Sequence, residues 1–178
     1  MDLSSISPIL LVASIMVSAT PILLAAIGEL VVEKAGVLNL GVEGMMITGA
    51  VVGFAVAVTT SNPLVGFVAA AAAGAVLSLV FGILTQYLLS NQVATGLGLT
   101  LAGLGLSALI GKPYEGIKSP TLPKLELGPL SDLPVVGKML LSHDPMVYFS
   151  IVLIAATWAF LKFTRGGLIL RAVGESHD

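Results

Sequence analysis

The stretch Gly36-Val-Leu-Asn-Leu-Gly-Val-Glu-Gly44 sets an amide, Asn39, and a carboxylate, Glu43, among three glycines inside a long apolar region. Between Gly36 and Gly111, Glu43 is the sole charged residue. A carboxylate at the centre of a membrane helix costs about 2.5–3.5 kcal/mol, while each Leu, Ile or Val returns about 0.3–0.6. Such a site can offer polar contacts to a solute, or its carboxylate can take a proton or cation. Two placements compete. In one, Gly41 and Gly44 let the backbone bend, and Asn39 and Glu43 line or brace a solute pathway. In the other, Glu43 sits in the first helical turn at headgroup level, where the positive helix end meets it favourably.

A second polar cluster, Asn91, Gln92 and Thr95, either joins that pathway or caps a helix at an interfacial turn. Other chemistry is poorly supported. His143 and His177 lack metal-ligand spacing, and no nucleophile stands beside a base. No G-x-x-x-x-G-K-[ST] occurs, so ATP is not bound here through a P-loop. Gly103-Leu-Gly105-Leu-Ser-Ala108 imitates a dinucleotide fingerprint, but no strand precedes it. There are no cysteines, hence no disulfides or thiolate sites, and the redox compartment stays open. A net charge of −2 without a basic block argues against nucleic acid.

Composition dictates the elements that hold these groups. Of 178 residues, 56% are hydrophobic and 10% charged, against about 25% charged in a soluble domain. The mean hydropathy is +1.04. One charge between Gly36 and Gly111 cannot cover a water-facing surface, so the chain is read as an integral membrane protein. A span needs about 20 apolar residues. Five runs qualify: Ile9–Gly28, Gly36–Val58, Leu64–Leu89, Val93–Gly111 and Met146–Phe163. They do not alternate as barrel strands do. The expected fold is therefore all-α, a polytopic bundle of about five hydrophobic segments, the second either continuous, discontinuous or re-entrant. A helix beginning only at Met45 would reach Val58 in about 21 Å, too short for a ~30 Å core.

The expected breaks are Glu29, Glu33 and Lys34; then Thr59–Pro63; then Ser90, Asn91 and Gln92. The fourth is long. Residues 112–145 hold six of the nine prolines, four lysines and four acidic residues, which predicts an extramembrane loop, with Val135–Leu141 as a short interfacial piece. Met1–Ser7 lacks the basic residues of a secretory signal, so the first run reads as a retained span. Lys162, Arg165 and Arg171 form the densest basic flank, which puts the carboxyl end in the cytoplasm. Five full crossings then place the long loop and the amino end outside; a re-entrant run would switch the amino end.

Helices in lipid associate where small residues let backbones approach. The third run carries Gly66, Ala70, Gly74, Ser78 and Gly82 at every fourth position, a predicted packing face. Gly49 with Gly53, and Gly103 with Ser107 and Gly111, are shorter versions. Pro21 predicts a kink in the first run. After the fifth run, Arg165 and Arg171 flank Leu168, Ile169 and Leu170 in a short amphipathic piece suited to a membrane face or a partner's groove.

Four segments together carry a resemblance: Glu33-Lys-Ala-Gly-Val-Leu-Asn-Leu-Gly-Val-Glu-Gly-Met-Met-Ile-Thr-Gly-Ala50, Asn91-Gln-Val-Ala-Thr-Gly96, Leu133-Pro-Val-Val-Gly137 and Thr164-Arg-Gly-Gly-Leu-Ile-Leu-Arg-Ala-Val-Gly-Glu175. In this order they resemble the permease subunits of bacterial ABC importers, in the branch serving simple sugars, nucleosides and branched-chain amino acids. The Asn-Leu-Gly-Val-Glu-Gly wording is similar to nucleoside-type members. The resemblance implies a multi-pass subunit of the bacterial inner membrane that needs no cofactor and is not itself an enzyme. It implies three partners besides the lipid bilayer: a second permease subunit, an ATP-binding subunit beneath, and an extracytoplasmic solute-binding protein. Carried onto this chain, Arg171, Ala172, Val173, Gly174 and Glu175 open the cytoplasmic coupling segment. Residues 112–145 face the binding protein, and Asn39, Gly41, Glu43 and Gly44 lie near the pathway with Asn91 and Gln92. Family members continue beyond the coupling segment, so the chain resembles the amino-terminal part of a permease.

The leading expectation is inward movement of a small polar solute, a nucleoside or simple sugar, driven by ATP hydrolysed on another subunit. The alternatives are an ion-coupled secondary transporter using Glu43 in a broken helix, and a non-transporting assembly protein of glycine-rich helices.

Overall fold

The computed structural model describes residues 8–122 and 143–175. The segments Val135–Leu141 and Leu133–Gly137, most of the 112–145 loop, His177 and the last three residues lie outside the described residues. Among those described, every regular element is helical: α1 (Pro8–Lys34), α2 (Val42–Thr60), α3 (Pro63–Gly82), α4 (Gln92–Gly111), α5 (Pro145–Phe163) and α6 (Arg165–Glu175). Five of them are long and apolar enough to cross a membrane. The fold is all-α and polytopic. The described residues form two compact units, 8–31 with 122 and 143–171, and 32–121 with 172–175; the boundaries at 31/32 and 171/172 fall inside α1 and α6.

In the first unit, α1 has 27 residues, about 40 Å of rise. It outruns the ~30 Å hydrocarbon core. This explains a difference from the sequence expectation. Glu29, Glu33 and Lys34 do not interrupt the chain; they belong to α1 itself. Polarity marks where a helix leaves lipid, and nothing in those residues breaks the backbone. Pro21 lies mid-helix, and beside it the buried Thr20 hydroxyl donates to Met16 O at 2.8 Å. That bond gives the hydroxyl a partner inside its own helix, on the carbonyl one turn back. α5 begins with Pro145, and its Ser150 hydroxyl, buried, donates to Val147 O at 2.7 Å. Toward its end, Lys162 Nζ stands 4.8 Å from the Trp158 ring centroid, and Trp158 meets Phe163 edge to face. An aromatic pair with a lysine is the usual anchor of a span at the headgroups.

The second unit is built on α2, which packs against both α3 and α4. α1 ends at Gly36, whose φ of +79° is open to glycine. Gly36 N–H donates to Glu33 O at 2.9 Å and Val37 N–H to Val32 O at 3.2 Å, the paired bonds of a Schellman stop. α2 starts at Val42 and runs 19 residues, about 28 Å of rise, close to a full crossing. A start at Met45 would have left it short. Asn62 caps α3, accepting from Leu64 N–H at 3.0 Å, with Pro63 in the first turn. α3 does not stay α-helical to Leu89. It widens into a π turn, Ile83–Tyr87, closed by Leu88 N–H to Ile83 O at 3.1 Å. Leu89 then takes a φ of +52°, and Ser90 N–H returns to Leu84 O. A small core of Met45, Phe81 and Leu99 joins the three helices, with Val37, Leu77 and Leu84 against it.

Outside these contacts the helices are apolar and exposed: Val68 is 67%, Leu101 70% and Leu109 77% accessible. Surfaces of that kind are stable against lipid and not against water.

Candidate functional site

The residues between α1 and α2 are the site's centre. They are unwound, so the backbone groups freed from a helix need other partners. α4 does part of this. Leu38 N–H donates to Gln92 Oε1 at 2.8 Å, and the Thr100 hydroxyl donates to Leu40 O at 3.0 Å. Asn39 is buried and supplies an internal partner: its Oδ1 accepts from Gly41 N–H at 2.9 Å, while its Nδ2 faces Met45 Sδ at 3.7 Å. Val37 anchors the stretch in the small core.

The approach is backbone to backbone. A Cβ on Gly44 would fall 2.5 Å from Leu99 O and 2.7 Å from Thr100 Cα, and one on Gly103 2.5 Å from Gly44 O. Gly41 and Gly96 face each other in the same way. At Gly44, Gly96 and Gly103 glycine is therefore required by space, while a Cβ at Gly41 would be tight at 3.1–3.3 Å.

The sequence-derived candidates separate here. Asn39, Gly41, Gly44 and Gln92 come together around the unwound stretch. Glu43 does not join them; it is exposed in the first turn of α2, where its charge meets the helix's positive end. Asn91 caps α4, its Oδ1 accepting from Ala94 N–H at 3.0 Å. Thr100 and Gly96 were not singled out from the sequence, although a threonine within an apolar run was the available signal. Thr48 was also missed: its hydroxyl is buried in α2 and has no partner among the described residues. No group of three or more His, Asp or Glu side chains among the described residues could hold a metal.

The ladder of the third run divides. A Cβ on Gly66 would lie 2.5 Å from Ala57 Cβ, and one on Gly53 2.7 Å from Ala70 Cβ, so Gly66 and Ala70 form the α2–α3 seam. A Cβ on Gly74 would lie 4.0 Å from Met45 O, an ordinary contact. Ser78 and Gly82 lie away from α2, in a shallow groove with Ala75, Leu79, Ile83, Gln86 and Tyr87.

The terminal helix α6 is capped by Thr164, whose Oγ1 accepts from Gly167 N–H at 3.0 Å. Gly167 is buried on Phe160 O and Leu161 Cα, and Gly174 lies against Lys34 O and Gly36 N. Both glycines lie two turns apart on one side of the helix. The other side presents Leu168, Ile169 and Val173, each 60–63% accessible. Of the candidate coupling residues, Ala172, Val173 and Glu175 are exposed, Gly174 and Arg171 half-buried, and Arg171 Nε is buried with no partner among the described residues.

These features define the class: an all-α, multi-pass membrane protein with an unwound segment before its second span. The chain belongs to the family described as branched-chain amino acid transport system / permease component, which matches residues 11–178. Among its relatives is the ABC transporter permease protein TsgC13 of Haloferax volcanii, whose name gives glucose as the solute. It is 40% identical over 166 residues, covering 90% of this chain and 50% of the relative. The guanosine ABC transporter permease protein NupQ of Bacillus subtilis is 33% identical over 189 residues, covering 98% of this chain and 58% of the relative. The nucleoside ABC transporter permease protein NupC of Lactococcus lactis is 27% identical over 183 residues, covering 94% and 56%. The chain thus spans about half the length of the curated relatives it matches. No solved structure matches it.

Proposed function

We propose that this chain is part of a permease subunit of an ABC importer, moving a small polar solute inward. A nucleoside is the leading solute and a simple sugar the next. The relatives named for guanosine and nucleosides support the first, and the one named for glucose supports the second. ATP is hydrolysed on a separate ATP-binding subunit, a second permease subunit completes the pathway, and an extracytoplasmic protein delivers the solute. The subunit lies in the bacterial inner membrane with α6 on the cytoplasmic side, in keeping with Lys162, Arg165 and Arg171 at that end.

The observation that carries the reading is the outward face of α6. Leu168, Ile169 and Val173 are exposed on a short helix beyond the last span, in a chain of a permease family. An apolar helix face of this kind fits a groove on a soluble partner. Changing Ile169→Asp together with Val173→Asp in the full-length permease should weaken docking of the ATP-binding subunit at least about tenfold, as for interface anchors. Solute-stimulated ATPase activity should fall with it, while membrane insertion stays intact. Unchanged stimulation would overturn the coupling role.

A further inference from the structure

Gly174 touches the end of α1 with no side chain between. A Cβ there would strike Lys34 O and lie 2.9 Å from Gly36 N; one on Gly36 would lie 3.2 Å from Gly174 Cα. Gly36 in turn opens the unwound stretch. Two residues on, Leu38 N–H is held by Gln92 Oε1, and Leu40 O by the Thr100 hydroxyl. From the terminal helix to α4 the links are a backbone contact, a few residues of chain with Val37 seated in the core, and two hydrogen bonds. Such links have little slack. A long side chain at 174 or 36 would absorb a displacement by changing rotamer, whereas a backbone contact cannot.

We propose that Gly174 and Gln92 are positioning residues for coupling: Gly174 seats the terminal helix on the α1 stop, and Gln92 passes its displacement through the unwound stretch to α4. The inference rests on the coupling role proposed above for α6. It assigns Gln92 to a mechanical clasp on the Leu38 amide, and it gives Gly36 a partner as well as a backbone conformation.

The test uses the full-length permease assembled with its ATP-binding subunits in lipid. A spin label replaces Arg165 at the start of α6, off the docking face, or Leu101 on α4, both exposed, and the response to nucleotide is read at each. In the otherwise unaltered protein both labels respond. Gly174→Ala and Gln92→Leu should keep the response at 165 and reduce that at 101 at least about fivefold, the lower range of site-to-site coupling. Gln92→Glu, which retains an acceptor oxygen for Leu38 N–H, should restore it. If Gly174→Ala disturbs assembly, the Gln92 pair decides. A full response at 101 in Gln92→Leu, or no recovery in Gln92→Glu, overturns the proposal. A label at 165 that ignores nucleotide in the otherwise unaltered protein overturns instead the coupling role of α6.

Discussion

Asn39 and Glu43, four residues apart, carry the same polar signal in the sequence and have different surroundings in the fold. Asn39 is buried, and Gly41 N–H depends on it. Asn39→Ala leaves that donor without its partner, which costs about 1–3 kcal/mol. Thermal unfolding of the detergent-solubilised protein should show the loss. Asn91→Ala, at an exposed cap, should cost only about 1 kcal/mol. Glu43 is exposed at a helix start, so nothing in its surroundings ties it to ion capture. Glu43→Gln should leave uptake driven by ATP and indifferent to an imposed ion gradient. Loss of a gradient-driven component in that variant would favour the ion-coupled reading.

The five glycine and small positions of the α3 ladder look alike on paper, yet the helix packs through only part of them. A row at every fourth residue drifts around the helix because 3.6 does not divide 4. Gly66 and Ala70 face α2, and Gly82 has nothing within 4 Å. Gly66→Ala must push Ala57 and Gly53 apart, at about 1–3 kcal/mol. Gly82→Ala should instead be neutral or stabilising by up to about 1 kcal/mol, because the helix loses a flexible residue. Paired unfolding measurements in detergent distinguish the two. Gly44→Ala should behave like Gly66→Ala, since the obstacles are Leu99 O and Thr100 Cα, which cannot rotate away. The stop of α1 was legible in part. Polarity at Glu29–Lys34 suggests an early break, whereas Gly36, which sets the boundary, looks in the sequence like the start of the next apolar run.

At the scale of the molecule, Gly174 against Gly36 and Gln92 against Leu38 put the last residues of α6, the start of α2 and the turn into α4 at one end of the second unit. α2, α3 and α4 then cross alternately. If α6 is cytoplasmic, as proposed above, single cysteines at Ser90 and Ile169 should label from the cytoplasm alone. Cysteines at Ser61 and Ile117 should label from outside. The chain has no native cysteine to interfere. Labelling of Ser61 and Ser90 from the same side would overturn five full crossings.

The membrane location, the helical class and the presence of five apolar runs long enough to span were determined by the sequence itself. Lipid offers backbone amides no partner, so an apolar run of sufficient length has helix as its stable form. Small residues also announced that helices would approach closely, because a missing side chain is a local property. Which glycines meet which, and that Gln92 and Thr100 hold an unwound stretch 54 and 60 residues away, was decided by the tertiary structure. Those hydrogen bonds exist only when α4 lies against the segment before α2, and no local preference of either piece contains that geometry.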